Sequence, residues 1–148
     1  MSQEHLDTQN LQRIPLFKTL SGNNLRKLAG TMQRVHFKAG EIICYEGDRG
    51  DSFYTILGGE AEIIKSLATP EEQLLVIYGP GDFIGEMALF EKETRTATIR
   101  ATKSTRVLTI DKKNFLGGIH EDPSLAFRIV QTMSHRIRDL TERLAKYE

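Results

Sequence analysis

One glutamate and one arginine stand in unusual surroundings near the middle of the chain. Glu86 follows Gly85 and precedes an apolar run at 87–90, whereas Arg95 interrupts a series of threonines that reads as the start of a strand. A glycine that leads into a helical turn lets backbone N–H groups approach an anion closely, and the local dipole favours negative charge. The planar guanidinium of Arg95 matches two phosphate oxygens, so these residues indicate a phosphate site.

A carboxylate at such a site adds a second requirement. Because an ionised carboxylate only accepts hydrogen bonds, Glu86 would accept them from a hydroxyl next to the phosphate. A phosphate with a neighbouring hydroxyl describes a sugar phosphate, and apolar flanks suit a base, so the residue types predict a nucleotide pocket. The alternative is that Glu86 and Arg95 pair only with each other, which would contribute little net stability if the pair were half buried.

Helices are predicted at the start of the chain, within residues 5–31. Apolar residues at helical spacing lead to Pro15, where a helix should stop. Ser21 then precedes a short amphipathic run as an N-cap, and Gly30 marks the end of that run. We therefore expect one helix before Pro15 and a second, short helix after Ser21.

Residues 33–111 follow a different pattern, in which short strand-like runs alternate with turn residues such as Gly58-Gly59. Many short strands with frequent turns are typical of a sandwich, jelly roll or barrel. No segment between them is a helix long enough to connect parallel strands, which argues against a parallel α/β sheet. The strand-like runs are residues 35–37, 41–45, 52–57, 61–67, 74–78, 97–102 and 106–110.

Helices return in residues 112–147. Asp111 is a predicted cap for a short helix through Ile119, and Asp122 with Pro123 predicts the start of a longer one. The apolar residues of this longer helix alternate at spacings of four and three, which is a heptad pattern. Packing on its own β domain would explain part of this stripe, but the small sheet leaves little to cover, which favours a two-fold dimer. The stripe consists of Ala126, Val130, Met133, Ile137, Leu140, Leu144 and Tyr147.

The composition excludes several classes of protein. The 148 residues suit one domain, 1–148, and 20 basic residues balance 20 acidic ones, so no charge excess favours direct binding to nucleic acid or to a membrane surface. The polar N-terminus lacks the apolar core of a signal peptide, and the longest apolar run, 74–78, cannot span a bilayer. With a single cysteine, Cys44, these features predict a cytoplasmic protein.

Catalytic and metal chemistry have no predicted centre. The four histidines are scattered along the chain, none at the spacing of a metal pair, and no nucleophile–histidine arrangement can be proposed. We therefore predict that the chain is not an enzyme and binds no metal or cofactor.

The segment that holds Glu86 and Arg95 resembles a known motif. Residues 83–89, Phe-Ile-Gly-Glu-Met-Ala-Leu, and residues 95–98, Arg-Thr-Ala-Thr, are similar to the phosphate-binding cassette of the cyclic-nucleotide-binding domain. This module occurs in bacterial catabolite-activator-type regulators, cyclic-nucleotide-dependent kinases and gated channels. The resemblance covers roughly residues 11–146 and implies an eight-stranded antiparallel β-roll, a double-stranded β-helix or jelly roll, with N-terminal helices and a long C-terminal helix. Further similar segments are 14–17, 37–41, 46–48, 51–54, 58–59 and 80–83.

The resemblance implies a role for each residue of the cassette. Glu86 would accept the ribose 2′-hydroxyl, and Arg95 would pair with the equatorial oxygen of a cyclic phosphate. Backbone N–H groups of Met87 and Ala88 would bind the other phosphate oxygens, with Gly85 allowing the close approach. The pairing of Glu86 with Arg95 alone becomes much less favoured once the resemblance is taken into account.

Other positions are implied to surround the base. Thr96 stands where a hydroxyl reaches the phosphate or a guanine amino group, so it permits cGMP without requiring it, and cAMP is favoured by the compact architecture. Ile84, Leu75 and Ile63 are candidates for the pocket wall, although ordinary core positions explain them better. Three residues of the last helix are placed beside the base by alignment, with Leu140 departing from the hydroxyl residue common in relatives. These residues are Arg136, Leu140 and Thr141.

The resulting prediction is a cyclic-nucleotide sensor that relays ligand binding through its C-terminal helix. It would dimerise through Val130, Met133, Ile137, Leu140 and Leu144 and act on an effector protein, with no DNA-binding domain in the chain. The alternative is a module that keeps the fold and works through protein interaction without a ligand.

Overall fold

The computed structural model describes residues 11–85 and 94–146. The elements within these ranges begin with a 3-10 turn, Pro15–Phe17, and helix α1, Gly22–Ala29. The strands are β1 Gln33–Phe37, β2 Ile42–Cys44, β3 Ser52–Gly58, β4 Ala61–Lys65, β5 Gln73–Tyr78, β6 Phe83–Ile84, β7 Thr98–Ala101 and β8 Thr105–Asp111. The last two elements are α2, Lys112–Glu121, and α3, Ser124–Ala145.

In the part of the chain so described, the eight strands form two antiparallel sheets of four. One sheet has the order β1-β8-β3-β6 and the other the order β2-β7-β4-β5, so strands distant in sequence lie side by side. The helices stand at the two ends of the chain around this β-roll. The predicted fold class, a mainly β roll flanked by N-terminal and C-terminal helices, is confirmed.

Two apolar clusters occupy the two faces of the β1-β8-β3-β6 sheet. On β3, Ile56 packs inside the roll, whereas Phe53 faces the helices. Phe53 stacks on Phe83 and on Phe115, with ring centroids 5.2 and 4.3 Å apart. Cys44 belongs to the inner cluster, where it is buried. Successive side chains of a strand point to opposite faces of the sheet. The side chains that point outward therefore form the surface on which the helices pack.

One predicted strand ends early, and one observed strand lies outside the predicted runs, each for a physical reason. The predicted strand 61–67 ends at Lys65, because Ser66 and Ala68 have φ angles of 56° and 64°, a left-handed conformation that no strand continues. Strand β6 was not predicted, because two residues between turns leave no visible alternation. It pairs with β3 through Tyr54 opposite Ile84.

The predicted helix caps are present. Ser21 accepts a hydrogen bond from the Asn24 backbone N–H at 3.1 Å, and Asp111 accepts one from the Asn114 N–H at 2.7 Å. Pro15 was predicted only as the place where a helix ends. In the structure it also begins a 3-10 turn, which its fixed φ angle suits.

Asp122 links helix α1 to the start of helix α3. Its Oδ1 accepts hydrogen bonds from the Ser124 N–H at 3.2 Å and from the Ser124 hydroxyl at 2.7 Å, which caps α3. Its Oδ2 accepts a bond from the Asn24 side chain on α1 at 2.9 Å. The hydrogen bonds from Ser124 and then Asn24 lower the pKa of Asp122 below its ordinary value.

Among the described residues, the apolar side chains of α3 that pack on the roll lie in its first half. Leu125 and Ile129 are buried in the cluster that faces the helices, and Met133 packs against it. Met133 was predicted to belong to the dimer stripe, but its side chain turns towards the chain's own core, because it lies four residues after Ile129 on the same helix face. The remaining predicted dimer residues are exposed, and they are Val130, Ile137, Leu140 and Leu144.

Candidate ligand-binding site

Gly85 and Arg95, predicted to meet, lie against each other. A Cβ atom added to Gly85 would stand 2.5 Å from Nη1 of Arg95 and 2.8 Å from the Ser52 carbonyl oxygen. Gly85 also has a φ of +98°, which L side chains rarely adopt. Only glycine therefore fits at position 85, both for its backbone conformation and for the space the guanidinium occupies.

The backbone around Arg95 is fixed by the turn that follows β2. The Arg95 N–H donates to the Asp48 carbonyl oxygen at 2.7 Å, and the Arg95 carbonyl oxygen accepts from the Gly47 N–H at 2.8 Å. An antiparallel bridge between Arg49 and Thr94 continues this pairing. These contacts hold the start of the β7 segment in place, so that the side chain of Arg95 points into the roll.

The guanidinium of Arg95 is deeply buried for a charged group. The residue is 7% exposed, its Nη2 donates to the Ser52 carbonyl oxygen at 2.5 Å, and its Cζ lies 5.6 Å from the centre of the Tyr54 ring. Among residues 11–85 and 94–146, no carboxylate forms an ion pair with it. A buried charge is costly unless it is paired, and Glu86, the alternative partner considered from the sequence, lies outside the described residues.

Burial around Arg95 changes the neighbouring titratable groups. Loss of hydration raises the pKa of the Cys44 thiol, and the positive charge of Arg95 offsets part of that rise. Burial likewise raises the pKa of the Tyr54 hydroxyl. Both side chains are thus neutral at physiological pH, which leaves the guanidinium as the charge that an anion would meet among these three residues.

Thr96 lies at the edge of the site and is exposed. Its carbonyl oxygen accepts a hydrogen bond from Nζ of Lys65 at 2.8 Å, and the same ammonium lies 3.2 Å from the Glu46 carboxylate. Hydrogen bonds from the Ser66 N–H and from Lys65 lower the pKa of Glu46 below its ordinary value. The sequence interpretation did not include Lys65, because nothing in its β4 position signals that its long side chain reaches the residue after Arg95.

The predicted wall residues lie in different environments. Ile84 is buried in the inner cluster and Ile63 packs against it, so core packing accounts for both. Leu75 lies on β5, at the edge of the second sheet, and is 44% exposed. In this structure Leu75 forms no part of the inner cluster, whereas Ser52 and Tyr54 contact Arg95 without having been given a role from the sequence.

Of the three helix residues placed beside the base, only Arg136 contacts the segment next to Gly85. Its Nη2 donates to the Phe83 carbonyl oxygen at 2.7 Å, and its guanidinium lies 4.6 Å from the centres of both the Tyr78 and Phe83 rings. Leu140 is 56% exposed, and the Thr141 hydroxyl donates to the Ile137 carbonyl oxygen of its own helix at 2.8 Å. The predicted contacts of Leu140 and Thr141 with a base stay predictions.

Three predicted ligand-binding residues, Glu86, Met87 and Ala88, lie outside the described residues. Within the described part of the chain, no group of three or more histidine, cysteine, aspartate or glutamate side chains could hold a metal ion. Over the same residues, no helix combines the length and the apolarity that crossing a membrane requires.

Comparison with known proteins gives the geometry a context. Residues 34–122, more than half of the chain, match the family model of the cyclic nucleotide-binding domain. A cAMP-dependent protein kinase regulatory subunit of Schizosaccharomyces pombe is 34% identical over 105 residues, which cover 71% of this chain and 24% of that protein. A cGMP-dependent protein kinase of Drosophila melanogaster is 36% identical over 108 residues, covering 71% of this chain and 12% of that protein.

A solved structure shows the same fold over a longer stretch. The catabolite activator protein of Thermus thermophilus superposes with a TM-score of 0.76 at 27% identity, covering 88% of this chain and 62% of that one. This chain thus spans less than two thirds of each of the three proteins. The matched module is a regulatory, ligand-binding one and not a catalytic domain, and the chain belongs to the cyclic nucleotide-binding domain family.

Proposed function

We propose that the chain is a cyclic-nucleotide sensor module whose ligand binds at Gly85 and Arg95. The observation that carries this proposal is the buried guanidinium of Arg95, which lies where a side chain at position 85 would stand. A cyclic phosphate has two exocyclic oxygens, which match the two-pronged face of a guanidinium. Binding would pair a buried charge that has no ionic partner among the described residues.

The cassette residues complete the proposed site. Glu86 accepts a hydrogen bond from the ribose 2′-hydroxyl, while the N–H groups of Met87 and Ala88 donate hydrogen bonds to phosphate oxygens. Gly85 provides the close backbone approach, because a Cβ there would collide with Arg95. A cyclic phosphate has one negative charge and two exocyclic oxygens, whereas a 5′-monophosphate has a third terminal oxygen, so a site that pairs two oxygens with Arg95 should favour the cyclic form.

We favour cAMP as the principal ligand over cGMP. Relatives of both kinds are similar to this chain, since the kinase of Schizosaccharomyces pombe is named for cAMP and that of Drosophila melanogaster for cGMP. Thr96 is exposed at the edge of the site. Its hydroxyl could therefore contact a guanine amino group, but binding at the site does not require guanine. We therefore favour adenine because of the compact architecture of the chain and not because of a contact with a named residue.

The proposed signal is a change in the position of α3. Arg136 joins this helix to the Phe83 carbonyl group, and Phe83 stands two residues before Gly85 in the chain. A ligand that displaces the backbone at Gly85 would therefore alter the hydrogen bond and the ring contacts of Arg136. A ligand shifts such an equilibrium only by its different affinity for the two arrangements. The exposed second half of α3 would pass the shift to a second copy of the chain and to an effector protein.

The experiment is calorimetric titration of the chain with cAMP, cGMP and 5′-AMP. We expect a cyclic nucleotide to bind and 5′-AMP to bind at least about tenfold more weakly, a difference of about 1.4 kcal/mol. Arg95→Ala should weaken binding more than about thirtyfold, because it removes a charge-assisted pair. Arg49→Ala is the matched control, since this exposed arginine lies on the strand segment that pairs with Thr94 and should leave affinity unchanged.

Two further results decide between the alternatives. Gly85→Ala should also abolish binding, because its Cβ would displace the guanidinium. If the folded wild-type chain binds none of the three nucleotides, the sensor function is wrong and the ligand-independent interaction module takes its place. If Arg95→Ala keeps full affinity for a cyclic nucleotide, the ligand lies elsewhere on the roll.

A further inference from the structure

A groove lies where the segment before Pro15 meets strands β1, β3 and β8 and the turn at Pro80 and Gly81. It has a volume of about 380 Å³, within the range of ligand pockets. Its apolar lining includes Leu11, Ile14 and Pro80, and three arginines complete it. They are Arg13, Arg34 and Arg106.

The strand register brings two of these arginines together. Arg34 on β1 stands opposite Leu108 on β8, and Arg106 precedes Leu108 by two residues, so both arginines lie on the sheet face that Leu108 shares with the helices. Such diagonal neighbours on adjacent strands are within reach of long side chains. The Arg106 guanidinium rests on the backbone of Gly58, where an added Cβ would stand 2.5 Å from its Nη2.

The three arginines carry unbalanced charge. All three are exposed, and within residues 11–85 and 94–146 none forms an ion pair with a carboxylate. Among the residues that the structure describes, no acidic side chain lines the groove. The chain as a whole carries equal numbers of basic and acidic residues, so this local concentration of positive charge is not a consequence of a basic composition. Like charges beside an apolar floor favour an occupant that is both anionic and apolar.

We propose that this groove binds an acidic peptide segment of a partner protein, with one large apolar side chain on the floor and carboxylates paired with the arginines. The volume accommodates one or two side chains and not a folded domain. No aromatic side chain of the described part of the chain lines the groove, so these residues offer no stacking surface of the kind typical of sites for single-stranded nucleic acid. Arg13, Leu11 and Ile14 precede the residues 34–122 that match the family model, so part of this surface lies outside the matched region.

The experiment is selection of a displayed library of random 12-residue peptides on the full chain, followed by fluorescence anisotropy with the enriched peptide. We expect enriched peptides to combine aspartate or glutamate with leucine, isoleucine or phenylalanine. Arg13→Glu, Arg34→Glu and Arg106→Glu should each weaken binding about tenfold or more, and raising the salt concentration should weaken it further. Arg138→Glu is the control, because it makes the same change of charge at an exposed position of α3.

Thermal unfolding of each variant shows whether it is folded. If Arg106→Glu does not fold, the peptide-binding measurement is made instead with Arg13→Gln and Arg34→Gln. Enrichment of basic or uncharged peptides, or no enrichment at all, would overturn the proposal. So would binding that the arginine substitutions leave unchanged. Arginine-dependent binding of a 20-base-pair DNA duplex that displaces the peptide would show instead that the surface is a nucleic-acid contact.

Discussion

The two halves of α3 have different surroundings although they belong to one uninterrupted helix. In the first half, Leu125 is fully buried and Ile129 nearly so, and both complete the core that the helices share with the β1-β8-β3-β6 sheet. In the second half, Leu140 and Leu144 are 56% and 66% exposed, although they are as apolar as the residues before them. Arg136 stands between the halves and donates a hydrogen bond to the Phe83 carbonyl oxygen of the roll. The buried apolar residues of the first half therefore stabilise the fold, whereas the exposed apolar residues of the second half, together with Val130, are available to a partner.

The largest expected effect comes from the buried half. Leu125→Ala should lower the free energy of unfolding by about 3 kcal/mol, because it removes buried methyl groups and leaves a cavity in a packed core. Leu144→Ala makes the same chemical change at an exposed position and should alter it by less than about 0.5 kcal/mol. Urea unfolding at low protein concentration measures both values. Equal losses in the two variants would contradict the division of α3.

Arg136 should have an intermediate effect. Arg136→Met keeps much of the side-chain length but removes the hydrogen bond to Phe83 and the contacts with the Tyr78 and Phe83 rings. We expect the free energy of unfolding to fall by about 1–2 kcal/mol. Arg138→Met, at an exposed position one half-turn further on, should change it little. If the two variants unfold at the same urea concentration, Arg136 does not hold α3 to the roll.

The cap of α3 should contribute somewhat less and in a pH-dependent way. Asp122→Ala should cost about 1 kcal/mol near neutral pH, since it removes the cap on Ser124 and the link to Asn24. Because these bonds lower the pKa of Asp122, its contribution is fully present above the ordinary carboxyl pKa of about 4 and is lost as the pH falls through the lower folded-state value. Wild type and variant should therefore converge in stability in strongly acidic solution. A difference that stays constant from pH 7 to pH 2 would show that the carboxylate charge is not responsible.

The exposed half should show the smallest effect on stability and a clear effect on association. Ile137→Asp places a charge in the proposed dimer stripe. Sedimentation velocity should therefore show that the dissociation constant of the dimer rises about thirtyfold or more. The free energy of unfolding of the separated chain should change by less than about 0.5 kcal/mol. Gln131→Asp is the control, because it is exposed on the same helix but outside the stripe. A wild-type chain that sediments as a monomer at every concentration would remove the dimer proposal.

Much of the fold could be predicted because its signals are local. The caps at Ser21 and Asp111 depend on one side chain and the backbone three residues later, and the glycine-rich turns separate most strands visibly. Strand β6 could not be predicted, since two residues show no periodicity. Met133 shows the limit of the heptad pattern, because a helix stripe does not reveal which of its members face the chain's own core.

The site was predictable to a similar extent. Gly85 and Arg95 were expected to meet, and the space at position 85 shows that they do. The role of Ser52 could not be predicted, because it contributes a backbone carbonyl oxygen, which every residue possesses. The contact of Arg136 with Tyr78 and Phe83 depends on how α3 lies across the roll, which no local pattern encodes.

The burial of the single cysteine gives the chain a built-in reporter. Cys44 lies on β2 opposite Ile99 of β7, inside the roll and within the electrostatic influence of Arg95. A thiol reagent attacks the thiolate, and both burial and the raised pKa suppress that reaction in the closed roll. The rate of labelling in the native protein would therefore follow transient separation of the strands next to Arg95. The labelling rate of Cys44 thus measures how often the roll opens locally and how much a bound ligand slows that opening, without replacing a residue.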